Sequence, residues 1–441
     1  MTIGTLGRLL AAWLPAQRWF AGAGRTVRSV EIISQTTLAS GDPELQHLIA
    51  AAAVGDDVVT YQVLAGIRAR LPDPLAAAKI GAMDGQVVYD ALADPELAAV
   101  LLRGIAAERA AGPIRFHATP GAAIDAGSAA RTLPAEQSNT SIIFGDQAIL
   151  KVLRRPHIGG HPDLEVPAAL ARKGSALVAA PLGWIESAAA TDVAESMVLA
   201  ILSRYFAGST DGWSLAMASL HSTGPGFTGE ARLLGQATAT LHAELAGAFG
   251  TAALPRQALA DLADAMSAEL DLAVSQVPEL RPYQHAVRAR YAELGGLTGQ
   301  LITQRVHGDY HLAQVLRTDR GWVVLDFEGE PSVPLVLRRG YAPALRDVAG
   351  MLRSFDYAAR HQLHHRPADQ RLKATALDWA RRCSDAFCTG YADAGGPDPR
   401  ASGPLLRALI LSKAVYEAVY EARHRPAWLP IPLAAIAEAA R

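Results

Sequence analysis

The sequence predicts an α+β protein, and three observations predict it. Apolar, β-branched runs characteristic of strands cluster in the part of the chain that ends near Tyr205. From Trp213 onward the pattern turns helical almost to the end. One further strand signal, Trp322 to Leu325, interrupts the helices and is preceded by the turn Thr318-Asp319-Arg320-Gly321. Short alternating or apolar runs bounded by turn residues read as strands, and longer apolar repeats at helical spacing read as helices.

The chain opens with an apolar run, Leu9 to Pro15, followed by Gln17, Arg18 and Trp19. It is too short for a leader and reads as a packed helix. Val27 to Ile33 and Asp57 to Val63 follow as strand candidates, the second through Val58, Val59, Tyr61 and Val63. They predict a small sheet flanked by the first helix, a unit running to about residue 90. Asp94 to Ala111 is rich in Ala, Leu and Glu and predicts a helix, and the Gly/Pro/Ala-rich stretch Thr119 to Gly127 a connection.

Next comes a hairpin. The polar stretch Ser138-Asn139-Thr140-Ser141 leads into a strand over Ser141 to Phe144, a Gly145-Asp146 turn, and a second strand over Ala148 to Leu153. Lys151 stands among apolar neighbours in the second strand, where its ammonium needs a partner. A nucleotide phosphate and a carboxylate would supply it, and Glu165, ahead of the helical stretch Val166 to Gly174, is the candidate carboxylate. The other reading has Lys151 reaching solvent from an edge strand. The Ser138 to Ser141 loop offers small polar donors suited to phosphate, though a plain hairpin turn has the same composition. Val198 to Tyr205 is another strand, and Ala207 to Gly212 a flexible polar break. Helices are predicted at Ala231 to Ala246, Leu259 to Leu272, Tyr283 to Leu294, Leu372 to Thr389 and Leu405 to Arg423.

The chemistry concentrates in His307-Gly308-Asp309-Tyr310-His311-Leu312-Ala313-Gln314 and Leu325-Asp326-Phe327-Glu328. Protein kinases use a base Asp, an amide five residues on, and a later metal-binding Asp on the far side of a strand. Here Asp309, Gln314 and Asp326 stand in that order. Asp309 would take the proton of an attacking hydroxyl, and Gln314 with Asp326 would hold Mg²⁺ across the phosphates of ATP. His-Gly-Asp alone is ordinary turn chemistry, so the weight lies on the two halves together.

Composition bounds the rest. With 441 residues, half of them apolar and 19% charged, the chain supports sizeable cores. The formal charge of −2 gives no field favouring nucleic acid or an anionic membrane surface. No apolar stretch is long enough to cross a membrane. Two cysteines, Cys383 and Cys388, are too few for a disulfide framework or a zinc site, and a cytoplasmic location is expected.

With these motifs in hand, the chain resembles the actinobacterial maltokinase-like sugar kinases, the maltokinase and glucosamine kinase group, of the aminoglycoside-phosphotransferase, eukaryotic-kinase-like clan. The resemblance runs through Gln17-Arg18-Trp19-Phe20-Ala21-Gly22, Glu136 to Ser141, Ile149-Leu150-Lys151, Arg305 to Asp309, Asp326 to Pro331, Leu345 to Ser354, Lys413 to Glu417 and Arg425 to Pro432. It implies a bilobal protein-kinase-like fold with an N-terminal cap subdomain (residues 1–90), a β-rich nucleotide-binding subdomain (91–206) and a mainly helical C-lobe (207–441) carrying the catalytic and sugar-binding site. It assigns Lys151, Glu165 and Ser138, Asn139, Thr140 and Ser141 to the nucleotide, Asp309 to catalysis, and Gln314, Asp326 and Glu328 to the metal. Asp309, His311, Glu417, Tyr420, Glu421 and Trp428 are expected to face the sugar. Arg346 and Asp347 are assigned to structural support.

Two departures bear on the substrate. Ala313 stands where maltokinases usually show Gly, and Leu409-Ile410-Leu411-Ser412 where they carry an acidic Glu-Leu-Asp. Glucosamine is smaller than maltose and brings an ammonium that wants a carboxylate. Glu417 and Glu421 lie four apart on one helix face and would supply it, unless they pair with Arg423 or Arg425 or face water. The expected reaction is ATP-dependent phosphorylation of glucosamine to glucosamine 6-phosphate, with phosphorylation of maltose at its anomeric hydroxyl as the alternative and aminoglycoside phosphotransfer as a further one. A non-catalytic sugar- or nucleotide-binding role is disfavoured because Lys151, Asp309, Gln314 and Asp326 are all present. The expected partner is a small-molecule sugar, with no nucleic acid, membrane or obligatory protein partner.

Overall fold

The computed structural model describes residues 3–439 apart from 21–24, 134–137, 189–195, 222–225, 256, 298–299, 331–332, 334 and 365–368. Ala21, Gly22, Glu136, Gln137 and Pro331 of the motifs above lie outside the described residues. The chain divides into two units, residues 1–168 with 179–207 and residues 169–178 with 208–441.

The first unit begins with the expected packed helix, α1 (Ile3–Trp13). Its Leu6, Leu10 and Trp13, with Leu14, Trp19 and Phe20 beyond, bury against Tyr61 and Val63. Those two residues belong to an antiparallel sheet of β1 (Val27–Ala39), β2 (Glu44–Val54), β3 (Asp57–Arg68), β4 (Lys79–Met83) and β5 (Gln86–Asp90), in the order β1-β2-β3-β5-β4. β2 carries four consecutive alanines, Ala50 to Ala53, yet it is a strand, because it sits between two neighbours and is buried along most of its length. Tertiary pairing overrides helix propensity there.

Helix α2 (Pro95–Ala106) starts on Asp94, whose carboxylate accepts the Glu96 amide. It ends five residues before the predicted stop. Glu108 adopts φ 46°, and the Arg109 amide returns to the Gly104 carbonyl (3.0 Å) and the Glu108 amide to that of Ile105 (3.1 Å). This is a Schellman closure with a non-glycine residue in the left-handed position, which the sequence does not advertise.

A second antiparallel sheet follows, built from β6 (Ala110–Ala111), β7 (Ile114–Ala118), β8 (Ala130–Thr132), β9 (Thr140–Phe144) and β10 (Ala148–Val152). After helix α3 (Pro162–Arg172) it is completed by β11 (Pro181–Ser187) and β12 (Met197–Arg204), giving the order β6-β7-β11-β12-β10-β9-β8. The predicted hairpin is β9–β10, with Lys151 opposite Ser141 and, on the other side, opposite Ile201. Lys151 is therefore on an internal strand, not an edge.

The second unit is mainly helical. Within the break expected at Ala207 to Gly212, Thr210–Asp211 forms a short strand, β13, and Asp211 caps α4 (Gly212–Leu220). There follow α5 (Thr228–Phe249), β14 (Thr251–Leu254), α6 (Gln257–Gln276), α7 (Gln284–Ala292) and β15 (Leu301–Gln304). Next come β16 (Val315–Thr318), β17 (Gly321–Val324), α8 (Leu335–Arg338) and α9 (Leu345–Leu363). The chain closes with α10 (Gln370–Asp393), α11 (Gly403–His424) and α12 (Pro430–Ala439). Helices α5 and α10 touch backbone to backbone. A methyl group on Gly235 would lie 2.1 Å from the Phe387 carbonyl oxygen, and one on Gly390 2.0 Å from that of Arg232. Phe227, Trp322, Phe355, Trp379 and Phe387 fill the adjoining core through mostly edge-to-face contacts. Among the described residues no helix is long and apolar enough to cross a membrane.

Candidate active site

The loop from His307 to Gln314 is fixed from below by one buried carboxylate. Asp347, on the first turn of α9, accepts the backbone amides of His307 (2.8 Å) and Gly308 (2.9 Å). It also contacts Nε2 of His242, whose Nδ1 meets the Tyr391 hydroxyl at 2.8 Å. Burial works against ionisation of Asp347, but these hydrogen bonds hold its pKa below the ordinary carboxylate value. The structural role expected of Asp347 is thus specific: it shapes the turn that presents Asp309. Two further contacts lock the turn to α9. The Leu312 amide donates to Ser354 Oγ (3.1 Å), and Gly350 lets the Tyr310 carbonyl approach to where a methyl group would stand, at 2.5 Å.

His307 joins the two halves of the motif. Its Nε2 lies 2.8 Å from the Leu325 carbonyl, which can only accept, so Nε2 carries the proton. Nδ1 is then the acceptor for the Asp309 amide (3.3 Å). The Leu325 amide in turn donates to the Gln314 carbonyl, which brings the Gln314 and Asp326 side chains together at 3.0 Å. Asp326 adopts φ 62°, a left-handed conformation that costs a non-glycine residue energy and is found where the surroundings over-determine it. An amide and a carboxylate converging, with Glu328 two residues on, form a hard oxygen donor set once the amide turns its oxygen inward. The donor chemistry fits Mg²⁺.

Asp309 is about one-fifth exposed (19%) and its Oδ1 accepts from Lys413 Nζ at 2.8 Å. Lys413, on α11, also donates to Glu330 (2.6 Å) and lies 4.7 Å from the Tyr416 ring centre. Burial alone would raise the Asp309 pKa; Lys413, with His311 and His307 adding, reverses this and holds it well below the usual range. The same pairing keeps Lys413 protonated despite its burial. His311 is lowered to about 4, chiefly by burial and against the pull of Asp309, so it is neutral near pH 7. Its Nδ1 accepts the Ala313 amide, which leaves the proton on Nε2, 3.8 Å from Asp309 Oδ2.

Asp309, His311 and Lys413 open onto a cavity of about 440 Å³. Glu417, Tyr420, Glu421 and Trp428 also line it, so all the residues expected to face a sugar meet at one place. The two glutamates are already paired. Arg353, on α9, donates to Glu417 Oε2 at 2.5 Å, and burial pushes the Glu417 pKa up with Arg353 pulling against it. Glu421 accepts from Arg425 (2.6 Å) and from the Tyr357 hydroxyl (2.8 Å). Of the two arginines weighed from sequence, Arg425 pairs with Glu421 and Arg423 donates instead to Gln276. Trp428 packs edge-on against His361 at 4.7 Å and carries the Arg425 guanidinium at 4.3 Å.

In the first unit, Lys151 Nζ donates to Asp163 at 2.9 Å. Asp163 shares the first turn of α3 with Glu165, the carboxylate expected from the sequence. Thr140 and Ser141 lie inside β9 and not in a loop. The Thr140 hydroxyl accepts from Arg154 (2.8 Å), Ser141 is buried, and only Ser138 and Asn139 precede the strand. Sequence reasoning also gave no role to Lys413, Glu330, Arg353 and Tyr357. A lone lysine within an apolar helical stretch was the available signal for the first.

Residues 13–94 match the maltokinase N-terminal cap domain family. A glucosamine kinase from Streptacidiphilus jiangxiensis is 32% identical over 379 residues, 82% of this chain and 84% of that protein. A second, from Mycolicibacterium smegmatis, is 30% identical over 324 residues, 69% of this chain and 78% of that protein. Among solved structures, a glucosamine kinase in complex with glucosamine, ADP and inorganic phosphate covers 98% of each chain at 25% identity, with a TM-score of 0.67. Crystal form B of glucosamine kinase gives 0.69 at the same identity and coverage. With identity sustained through most of both chains, and one solved glucosamine kinase matched along nearly the whole chain, this chain belongs to the glucosamine kinase family and is a phosphotransferase.

Proposed function

We propose that the protein transfers the γ-phosphoryl group of ATP to the 6-hydroxyl of glucosamine. The observation that carries this reading is the Asp309 carboxylate, held by Lys413 on the wall of a cavity that also presents two glutamates and aromatic side chains. Asp309 Oδ1 is held by Lys413, so Oδ2 is the atom that orients the acceptor hydroxyl. A strongly acidic base suits a transfer in which the proton leaves late, after the phosphoryl group has largely moved. The sugar ammonium is matched to Glu417, whose Oε2 takes Arg353 and whose second oxygen serves as acceptor. Trp428 and Tyr420 line the cavity in which the sugar would sit.

Lys151 is assigned the nucleotide phosphates, with Asp163 and Glu165 as carboxylates that hold its ammonium when no nucleotide does. Ser138 and Asn139 remain the donors proposed for the phosphate loop. Gln314 and Asp326, assisted by Glu328, are the proposed Mg²⁺ ligands, and Mg²⁺ there would neutralise phosphate charge during transfer. We take the cap as residues 1–90, the nucleotide-binding subdomain as 91–206 and the sugar-binding lobe as 207–441.

A coupled ADP-release assay with Mg²⁺-ATP and, side by side, glucosamine, glucose, maltose and an aminoglycoside tests the proposal. Preference for glucosamine over glucose is the expected result. Turnover of maltose with none of glucosamine overturns the substrate assignment and favours maltokinase activity, which the cap-domain match also fits.

A further inference from the structure

The cap sheet reaches into the nucleotide-binding strands through buried polar side chains, all within the first unit. Gln62 of β3 is fully enclosed. Its amide nitrogen donates to the carbonyls of Leu153 (2.8 Å), just past the end of β10, and Leu199 (2.9 Å), near the start of β12. Its backbone amide donates to the Arg154 carbonyl at 2.8 Å. Both amide protons being used, its oxygen must accept, and His47 Nε2 lies 2.8 Å from it. His47 is buried and lowered to about 4 by that burial, against the Gln62 hydrogen bond, so it is a neutral donor here.

Arg154 makes the second link. It is 1% exposed, yet it carries a full charge three residues after Lys151. Its Nη2 donates to Asp90 at the end of β5 (2.5 Å), its Nε to the Thr140 hydroxyl at the start of β9 (2.8 Å), and its guanidinium lies 4.6 Å from the Trp19 ring centre. Asp90 and Trp19 belong to the cap, and Thr140 belongs to the hairpin opposite Lys151. A buried arginine with one nitrogen, Nη1, lacking a hydrogen-bond partner among the described residues is a costly way to hold two sheets together, since apolar packing would do it more cheaply. What it adds is direction: a planar fork fixes Thr140 and the chain beyond Lys151 relative to Asp90.

We infer that Gln62 and Arg154 are positioning residues through which the cap sets the geometry of the Lys151 strand and the Ser138–Asn139 turn, and so the affinity for nucleotide. The inference rests on the assignment of Lys151 to the nucleotide phosphates. It gives the cap a part in nucleotide binding that cap residues perform without touching the nucleotide.

Two measurements on the full-length protein test it. In hydrogen-exchange mass spectrometry on the wild type, ADP with Mg²⁺ should slow exchange in residues 44–65 of the cap as well as in 140–154. ADP binding that protects 140–154 and leaves the cap unchanged overturns the inference and leaves the nucleotide assignment standing. No ADP binding at all overturns both. In calorimetry and steady-state kinetics, Gln62→Leu and Asp90→Asn should each weaken ADP binding and raise the KM for ATP by about tenfold, as expected for a lost hydrogen bond to a buried partner, with the sugar KM within about twofold. Arg154→Lys, which keeps the charge and loses the fork, should behave the same way. Variants that melt at lower temperature but bind ADP as the wild type does would show a purely structural role and refute the proposal.

Discussion

Replacing Lys413 with Met removes one charge from the centre of the site and leaves Asp309 and Glu330 without the ammonium they share. The consequence for Asp309 can be worked out. Its oxygen is 2.8 Å from Lys413 Nζ, and both side chains are mostly buried, at 19% and 15% exposure. A unit charge removed at about 4 Å is worth about 4 kcal/mol at an effective dielectric of ~20, or about three pKa units. Burial, which already favours the neutral acid, then acts with little opposition. The acid limb of kcat/KM, set in the wild type below the practical pH range, should appear between about pH 4 and 6 in the Met variant. Lys413→Arg, assayed with the same substrates, keeps the charge and should keep the wild-type profile.

Stability should change sign with it. In the wild type the folded-state pKa of Asp309 lies below the unfolded value near ~3.9, so its contribution is present above about pH 4 and lost as pH falls further. In the Met variant the folded-state value lies above the unfolded one, so acidification from about pH 7 to 5 should raise the melting temperature. A Met variant whose acid limb coincides with that of the Arg variant would refute the reasoning, because Lys413 would then not control Asp309.

The other predictions are more direct. Asp309→Asn should keep the fold and ADP binding and lower kcat by about 10²–10⁴-fold, the usual weight of a general base; near-normal turnover in the ADP-release assay would remove Asp309 from that role. Asp326→Asn should fold, since Asn tolerates φ 62° better than most residues, but should need far more Mg²⁺ for half-maximal rate in a metal titration. An unchanged Mg²⁺ requirement would place the metal elsewhere. Glu417→Gln should raise the KM for glucosamine by about tenfold or more while leaving glucose nearly unaffected, as expected when a charged hydrogen-bond partner is lost. Equal losses for both sugars would mean that Glu417 supports Arg353 and does not read the amino group.

What the sequence discloses here depends on how far apart the interacting groups stand. Asp309, Gln314 and Asp326 are legible because local turns and one short hairpin fix their order, and the His307–Leu325 and Leu325–Gln314 hydrogen bonds tie the two halves together. The β9–β10 hairpin is legible for the same reason. Lys413 lies 104 residues from Asp309, and Arg353 lies 64 from Glu417. Periodicity says that these residues occupy helices and says nothing of which helix faces which. Strand β2 is hidden by its alanines, and the end of α2 by a glutamate in a glycine conformation. Asp163 stands beside Glu165 in the first turn of α3, and the spacing of two acidic residues does not by itself reveal the Lys151–Asp163 contact.

The charge arrangement itself argues for a polar, hydroxyl-rich ligand. Around one cavity stand Lys413 with Asp309 and Glu330, Arg353 with Glu417 and Asp356, and Arg425 with Glu421. Buried ion pairs of this kind are seldom the most stable way to fill a protein interior, because desolvation offsets much of their attraction. A cavity selected for stability alone would be lined with leucine and phenylalanine. Held in fixed pairs, these carboxylates keep their direction before any ligand arrives, so little reorganisation is left for the moment of binding. Glu417, with its Oε2 on Arg353, offers its other oxygen to a ligand, and an ammonium or hydroxyl that docks there finds an acceptor already oriented. A ligand without such groups would bury these charges further and gain nothing in exchange. The site is therefore built to prefer a small molecule that brings its own donors over an apolar one of the same size.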